Sequence, residues 1–387
     1  MLHRMDEPTP QVVTTTGATP PAPTRARRSW PFVAAAVALS AYWPWLWSRA
    51  FGSITALAVI GKQGGPATDS FVHDFPHGFR FAGLGHDGRY FYTIARHPFD
   101  FSLLRQRIPI TSYRYRRILY PLLAGRLAPH GGTALLLAFV LVSLVGVGIG
   151  AWAMTRFPRA PRWLPIIVAA DPGVAVALCF TLGDALATGL ALAAFAVMFR
   201  RRWAVATLLV VLACLTRETS LLAALCLATW PGIPRRARVT LAVVPCATYG
   251  AWAVLVAHLT RSSVFAAPDG GLFTFPLGGW AHGTHALLDL LIPLGLVAVL
   301  VAALASRHRS PLPVRLYIGA TTVMLICSTR AITDQWIDSS RVVAVALPLA
   351  VWVLAQRPRA RAYPVVRPGV QTTPDLAPDA PSAPTPA

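Results

Sequence analysis

Long apolar stretches separated by short polar segments run through most of the chain. A membrane-spanning helix needs about 20 consecutive apolar residues, and several of these stretches approach that length. We therefore predict an all-α polytopic membrane protein with about ten transmembrane helices. The apolar runs lie at residues 30–60, 131–153, 164–181, 182–199, 203–216, 219–231, 239–259, 284–305, 313–329 and 340–356. The fifth and sixth runs also fit one long span.

The two ends of the chain lack this apolar pattern. Residues 1–28 are rich in Pro, Thr and Ala, and residues 358–387 are rich in Pro and Ala. Such segments bury too little apolar surface to fold, so we predict disordered tails flanking a membrane domain at 29–357. The first apolar run is long, contains several Trp residues and lacks a clear cleavage site. We therefore interpret it as the first span and not as a signal peptide.

The composition supports a membrane protein. Hydrophobic residues make up 55% of the chain and charged residues only 13%, whereas soluble domains have about 25% charged residues. This excludes a water-soluble enzyme or DNA-binding domain as a description of the whole chain. The net charge is +20, but the arginines form short clusters between apolar runs. That pattern is typical of cytoplasmic loops at a lipid surface, so we expect membrane lipids and no nucleic acid as partners.

The arginine clusters predict which loops face the cytoplasm, because cytoplasmic loops carry an excess of Lys and Arg. With the N-terminus inside, every second loop is cytoplasmic, and each of those segments carries at least three arginines. They are Arg156, Arg159 and Arg162; Arg200, Arg201 and Arg202; Arg235, Arg236 and Arg238; Arg307, Arg309 and Arg315; and Arg357, Arg359 and Arg361. We predict a multi-pass protein of the cell membrane with both termini in the cytoplasm and the loop 61–130 outside.

No motif for a resident metal or nucleotide occurs in the sequence. HExxH and Walker A sequences are both absent. The five cysteines lie in apolar runs without CxxC spacing, which predicts buried thiols. The residues do not decide whether a divalent cation takes part in the function.

Most charged residues that interrupt apolar sequence fall on the predicted outer side. Charged residues at membrane depth are costly and are candidates for function. Several of them on one side predict a site open to the extracytoplasmic face. They are Asp74 and Asp87 in the first loop, Asp184, Arg217 and Glu218 in later turns, and Asp334, Asp338 and Arg341 before the last run.

The most distinctive motif in the first loop is GHDGRYFYTIAR, at residues 85–96. Asp87 stands at the start of a predicted short helix, and Gly88 leaves room for a close-packed ligand or backbone. The apolar stripe of this helix consists of Tyr90, Phe91, Ile94 and Ala95. Asp87 is either an ordinary helix cap or a carboxylate held for chemistry beside the membrane.

A second motif, YRYRRILYPL at residues 113–122, carries three arginines within four residues. On the outer side these arginines oppose the usual charge bias. Arginine forms bidentate contacts with phosphate, whereas aromatic residues suit the membrane interface. The motif is therefore either a phosphate clamp or an ordinary headgroup anchor.

The later charged residues also have simple structural interpretations. Asp184 can cap the fourth span, and Arg217 can pair with Glu218 across a tight turn. Asp338 and Arg341 can form an ion pair at the mouth of the last span. A further acidic residue, Asp171, lies within the third apolar run and predicts a break in it or a re-entrant stretch.

Taken in order, these residues resemble the GT-C class of integral-membrane glycosyltransferases. The first outer loop of that class carries an acidic residue, then Arg-Tyr or aromatic residues, then Ile-Ala. The match here is Asp87, Arg89-Tyr90, Tyr92 and Ile94-Ala95, followed by Arg117–Leu122, Gly183-Asp184, Leu215–Thr219 and Arg341. The resemblance extends over about residues 80–350. The same set of residues is similar to a bacterial group of membrane proteins linked to cell-surface glycopolymer formation.

The resemblance implies transfer of a sugar from a polyprenyl-phosphate donor to a cell-envelope acceptor at the extracytoplasmic face. This chemistry needs a base for the acceptor hydroxyl and positive charge for the leaving phosphate. We assign Asp87 as the base, with Asp184 or Asp74 as alternatives. The residues assigned to substrate binding are Arg89, Tyr90, Tyr92, Arg114, Arg116, Arg117, Tyr120, Asp184, Arg217, Glu218 and Arg341.

Two other functions fit the same residues. A transporter or flippase for a lipid-linked sugar would use the arginines without a base, and it should have a charged path deep in the bundle. A non-catalytic assembly subunit of the envelope would use Asp87 only as a helix cap. The charges cluster near one predicted face, which favours the enzyme.

Overall fold

A computed structural model of the protein describes residues 29–61, 65–81, 85–265, 274, 276–281, 287–306, 310–329, 332 and 335–356. Every regular element in these ranges is helical, apart from one isolated bridge between Ile60 and Phe81. The all-α prediction is therefore confirmed for the described residues. The predicted disordered tails and Asp334 lie outside them.

The first long helix, α1, spans Trp30–Ala50 and ends well before residue 60, where the first apolar run ends. A buried 3₁₀ turn at Ile54–Ala58 follows it. The long loop then folds into short helices, as predicted. They are a 3₁₀ turn at Pro66–Thr68, α2 at Asp69–Asp74, α3 at Gly88–Arg96, α4 at Phe101–Arg107, α5 at Thr111–Tyr115 and α6 at Leu119–Leu127.

The rest of the described chain is a bundle of longer apolar helices interrupted by breaks. One break is a 3₁₀ turn at Glu218–Ser220. The helices are α7 at Gly132–Met154, α8 at Ile166–Ala170, α9 at Pro172–Cys179, α10 at Asp184–Met198, α11 at Trp203–Thr216, α12 at Leu221–Ala228, α13 at Arg235–Thr260, α14 at Gly278–Ala281, α15 at Leu287–Ala305, α16 at Leu312–Ile326, α17 at Trp336–Val343 and α18 at Ala346–Leu354.

Three described helices, α7, α13 and α15, are long and apolar enough to cross a membrane. The pair α17 and α18 passes the same test together, although it is bent by 64°. Four other apolar helical segments are shorter, so the described structure contains fewer full-length spans than the ten apolar runs predict. The third run is broken at Asp171, as predicted. The Asp171 carboxylate accepts hydrogen bonds from the backbone N–H groups of Gly173 and Val174 at the start of α9.

Helix α10 forms the centre of the bundle. Fourteen of its fifteen residues are buried, as expected for a helix that is apolar on all sides. It crosses α7 where Gly146 meets Gly189, and a side chain at either position would collide with the backbone of the other helix. Small residues permit this close approach, which is a common way for helices to associate in lipid.

The bundle has two chemically different ends. At one end, Phe157, Phe199, Trp230 and Trp352 form an aromatic cluster, and Arg201 donates to the Pro231 carbonyl. This end therefore gathers the predicted cytoplasmic loops at 156–162, 200–202 and 231–238, together with the end of α18. Helix α10 runs from this cluster to Asp184, a distance of about 22 Å at 1.5 Å per residue.

Candidate functional site

A polar cavity of about 360 Å³ opens at the end of the bundle opposite the aromatic cluster. Its lining comes from four parts of the chain: the first loop, the break between α11 and α12, the end of α16 with the residues that follow it, and α17. The predicted site residues that line it are Asp87, Arg89, Tyr90, Arg114, Arg117, Arg217, Glu218 and Arg341.

Asp87 precedes α3, but its side chain makes no capping hydrogen bond. Instead, Oδ1 accepts from Nε of Arg114 at 3.3 Å and Oδ2 accepts from Nη1 of Arg117 at 3.4 Å. The side chain is 19% exposed and lies at the cavity wall. The carboxylate thus faces the cavity and its arginines, and it leaves the helix end uncapped.

The packing of α3 explains why Asp87 is held there. A side chain at Gly88 would collide with the carbonyl of Phe180 and the hydroxyl of Thr181, so only glycine permits this contact with the connection between α9 and α10. The predicted apolar stripe of α3 is buried, which confirms it. The helix is therefore fixed by its apolar face, and its first residue is presented to the cavity.

The charges around Asp87 keep it ionised. Burial alone would raise the pKa of this carboxyl. The opposing charges of Arg117 and Arg114 help to outweigh burial and hold the pKa well below its usual range. A carboxylate in this setting is fully deprotonated at neutral pH.

Arg117 bonds to three residues of the cavity: Asp87, Tyr113 and Glu218. Its Nε and Nη2 donate to the two oxygens of Glu218 at 2.8 and 2.6 Å, and Nη2 also donates to the Tyr113 hydroxyl at 2.6 Å. Arg117 is buried in this bidentate pair, at 7% exposed, whereas Glu218 is 24% exposed. Glu218 thus pairs with Arg117, while its neighbour Arg217 pairs with Asp184.

Two further arginines are ordered by one aromatic ring. The guanidinium of Arg114 lies 3.9 Å from the ring centre of Tyr90, and that of Arg89 lies 4.7 Å from it. Arg89 also donates to the Tyr90 hydroxyl at 2.7 Å. Cation–π contacts of this kind hold guanidinium groups without neutralising their charge.

A buried layer of charges lies beneath the cavity around Asp184. This carboxylate is 4% exposed and contacts both Arg217 and Arg341, the latter at 3.1 Å. Arg341 also donates to Asp338 at 2.9 Å, which confirms the ion pair predicted at the last span. Asp184 therefore supports two arginines of the cavity wall from below.

Besides Asp184, which lies beneath the cavity, three predicted substrate-binding residues lie outside its lining. The Tyr120 hydroxyl is buried and bonds to the Phe139 carbonyl and to Ser143. Arg116 donates to the carbonyls of Ser112 and Val264. The third residue, Tyr92, belongs to a separate cluster around Asp74.

The cluster around Asp74 ties the first loop to the start of α7. Tyr92 donates to Oδ2 of Asp74 at 2.6 Å and accepts from the backbone N–H of Gly132 at 2.6 Å. Arg96 pairs with Asp74 at 2.8 Å and donates to the Pro129 carbonyl at 2.6 Å. Asp74 is 4% exposed, so this carboxylate is enclosed by its donors.

The cavity residues without a predicted role include two with ionisable or phenolic side chains, His86 and Tyr113. Nε2 of His86 lies 3.3 Å from Oδ1 of Asp338, and Tyr113 accepts from Arg117 as described. Both stand beside assigned residues in the two motifs, and this adjacency was the only available signal. Their contacts reach residues more than 100 positions away or depend on the local helical turn.

The described cavity and the layer beneath it contain five arginines and four carboxylates, a formal excess of one positive charge. Within the described ranges, no three His, Cys, Asp or Glu side chains lie close enough together to hold a metal ion. The arrangement suits a ligand with one or two negative charges and hydroxyl groups, because guanidinium groups bind phosphate and carboxylates accept from hydroxyls.

No family model matches the chain, and neither a curated protein nor a solved structure matches it significantly.

Proposed function

We propose that the protein is a membrane glycosyltransferase of the GT-C type. It would transfer a sugar from a polyprenyl-phosphate donor to a cell-envelope acceptor. The observation that carries this proposal is the meeting of Asp87 with arginines in a cavity that adjoins an apolar groove. A base, a phosphate site and a lipid site are the three elements that such a reaction needs.

The apolar groove has a volume of about 370 Å³ and an almost entirely apolar lining. Its wall includes Trp43, Trp47, Phe180 and Trp336. The groove adjoins the polar cavity, because Phe180 lies 5.3 Å from the ring of His86 and Trp336 begins the helix that carries Asp338. An amphiphile with a charged head and an apolar tail fits this pair of spaces.

The proposed reaction is a single displacement. The acceptor hydroxyl oxygen attacks the anomeric carbon and forms the new glycosidic bond, while the bond from that carbon to the phosphate oxygen breaks. Asp87 takes the hydroxyl proton, and the electron pair leaves on the polyprenyl phosphate, whose added charge Arg114 and Arg117 stabilise. Attack from the face opposite the leaving group inverts the anomeric centre.

The arginine contacts suggest how a carboxylate with a depressed pKa becomes an effective base. In the described structure Arg114 and Arg117 both bond to Asp87. These contacts would weaken Asp87 as a proton acceptor. A donor phosphate would compete for the same guanidinium groups. Their attraction to Asp87 would then fall and its pKa would rise toward the ordinary range.

We also propose about ten membrane crossings, with both termini in the cytoplasm and the cavity outside. The three described arginine-rich loops, at 156–162, 200–202 and 231–238, meet at one end of the bundle, which agrees with the positive-inside rule. The helices α10 and α11 each run from that end toward the cavity, which supports counting them as crossings despite their length. Cysteine labelling at position 87 from only one side of sealed vesicles tests this orientation, and labelling only from the cytoplasmic side would contradict it.

A lipid-linked sugar transporter is less well supported. Below Asp184, the described helix α10 carries no charged residue and is buried along its length. The charges are confined to one end of that helix, so it offers no polar path across the bundle. A transporter would need such a path.

Reconstituted protein tests the proposal directly. Purified protein in vesicles is mixed with a radiolabelled polyprenyl-phosphate sugar and a cell-envelope acceptor fraction. We expect label to move to the acceptor and polyprenyl phosphate to be released in equal amounts. Movement of intact lipid-linked sugar across the bilayer would instead support a flippase. If neither transfer nor movement occurs, an assembly subunit would be supported.

A further inference from the structure

His86 lies between Asp87 and the final helices of the bundle. Its side chain is 15% exposed. The backbone N–H of Asp87 donates to Nδ1 at 2.9 Å, and Nε2 lies 3.3 Å from Oδ1 of Asp338. The two ring nitrogens therefore connect the loop that carries the proposed base to α17.

These contacts determine which ring nitrogen carries the proton. A neutral imidazole has one N–H and one acceptor nitrogen. Because Nδ1 accepts from Asp87, the proton is assigned to Nε2, which donates it to Asp338. Arg341 also lies 3.3 Å from Nε2, but it donates to Asp338 at 2.9 Å and so fixes the position of that acceptor.

We propose that His86 is a positioning residue that holds the Asp87 peptide so that its carboxylate faces the reacting sugar. This inference rests on the proposed glycosyl transfer. His86 has no free lone pair in this arrangement, so it is not itself the base. Its contribution is to fix the backbone of Asp87, the proposed base.

The need for such a residue follows from the other contacts of Asp87. Among the described residues, its side chain is held by Arg114 and Arg117, at 3.3 and 3.4 Å, and it makes no capping bond to its own helix. The donor phosphate would draw both arginines away. The shorter bond between the Asp87 N–H and His86 does not involve the phosphate site, so it would persist when the donor is bound.

Two near-isosteric variants separate the contacts of the two ring nitrogens. Asn at position 86 places an acceptor near Nδ1 but does not reach Asp338, whereas Gln reaches toward Asp338 and leaves the Asp87 N–H without its acceptor. We expect His86→Gln to lower kcat by about 10²-fold, the loss associated with small misplacement of reacting groups. Donor KM should change little, because the phosphate site is intact. We expect His86→Asn to retain most of the wild-type kcat.

Steady-state kinetics of reconstituted protein provide the test, with thermal unfolding in detergent as the check on folding. His86→Ala removes both contacts and serves as a second comparison if His86→Gln does not fold; it should lose kcat relative to His86→Asn. Equal kcat values for His86→Ala and His86→Asn, or wild-type kcat in His86→Gln, would overturn the positioning role. Absence of transfer by the wild type would instead overturn the proposed function itself.

Discussion

The first loop contains two carboxylates that are alike in several respects and different in their surroundings. Asp74 and Asp87 both pair with arginine, and both have a pKa below the usual value. Asp74 is 4% exposed and receives donors from Tyr92, Arg96 and the Gly132 backbone. Asp87 is 19% exposed and lines a cavity, and its carboxylate bonds to two arginine side chains among the described residues.

This difference matters more than the shared charge pairing. Asp74 is enclosed by donors that join two segments of the fold, so its hydrogen bonds and ion pair stabilise the folded structure. The carboxylate of Asp87 is held by groups that a phosphate can recruit, and it borders a space that a substrate can enter. A low carboxyl pKa beside arginine therefore does not distinguish a structural carboxylate from a catalytic one, whereas the identity of the donors and the adjacent space do.

The largest expected effect is on turnover in Asp87→Asn. Asn keeps the size of the side chain but cannot accept the hydroxyl proton, and loss of a general base costs about 10²–10⁴-fold in rate. Folding should be retained, because the Asp87 side chain does not cap α3. Radiolabel transfer by reconstituted protein measures the rate, and thermal unfolding in detergent checks the fold. Wild-type turnover would remove Asp87 as the base.

The phosphate clamp is tested by a matched pair of arginines from one motif. Arg114 contacts Asp87 in the cavity, whereas Arg116 donates to backbone carbonyls away from it. A hydrogen bond to a charged group contributes about 1.5–3 kcal/mol, so Arg114→Gln should raise the apparent donor KM by about tenfold or more. Arg116→Gln is the control and should leave donor kinetics nearly unchanged. Unchanged donor kinetics in Arg114→Gln would return this arginine to headgroup anchoring.

This pair also illustrates which parts of the site can be predicted from sequence. The two motifs and their charged residues identify the correct segments of chain. Arg116 and Arg117 are neighbours in the connection between α5 and α6, yet Arg116 donates to backbone carbonyls and Arg117 to cavity side chains. On a helix, successive residues point about 100° apart. Tyr90 and Tyr92 lie about 200° apart on α3 for the same reason, and only Tyr90 reaches the cavity. Which face points inward depends on packing that the motif does not encode.

Contacts between residues far apart in the chain could not be predicted from the sequence either. Asp184 meets Arg341 across 157 positions, and His86 meets Asp338 across 252. The apolar runs predicted an all-helical bundle because burial requires apolar residues. They did not predict where helices end, since a buried run looks the same whether it continues or breaks. Only Asp171, an acidic residue followed by Pro and Gly, indicated a break in advance.

Substitution of Asp74, the enclosed carboxylate, should lower the stability of the fold and leave turnover unchanged. In Asp74→Asn, the amide nitrogen is placed against donors only, which should lower the free energy of unfolding by about 1–3 kcal/mol. Turnover per folded molecule should not change. Denaturant or thermal unfolding measures the first quantity, and transfer normalised to folded protein measures the second. A selective loss of turnover would instead place Asp74 in the chemistry.

The pH dependence of Asp74 has a definite sign. Burial would raise the pKa of this carboxyl, but hydrogen bonds from Tyr92 and His73 and the charge of Arg96 lower it below its usual 3.8. Its contribution to stability is therefore present above about pH 4 and is lost as the pH falls through the lower folded-state pKa. Asp74→Asn should lack this part of the acid dependence of unfolding.

The smallest expected effect is that of Tyr92→Phe, which removes one hydroxyl from the enclosed cluster. Asp74 keeps Arg96, and the Gly132 N–H keeps Oδ2 of Asp74 at 3.3 Å, so no buried group loses all its partners. The loss should be about 1 kcal/mol of unfolding free energy, the usual contribution of one hydrogen bond. Donor and acceptor KM should stay unchanged, because Tyr92 lies outside the cavity lining. Tyr90→Phe is the matched control: its hydroxyl binds Arg89 in the cavity, so it should alter donor KM with little change in stability. If Tyr92→Phe changed KM as much as Tyr90→Phe did, Tyr92 would contact substrate and the division between the two carboxylate clusters would be wrong.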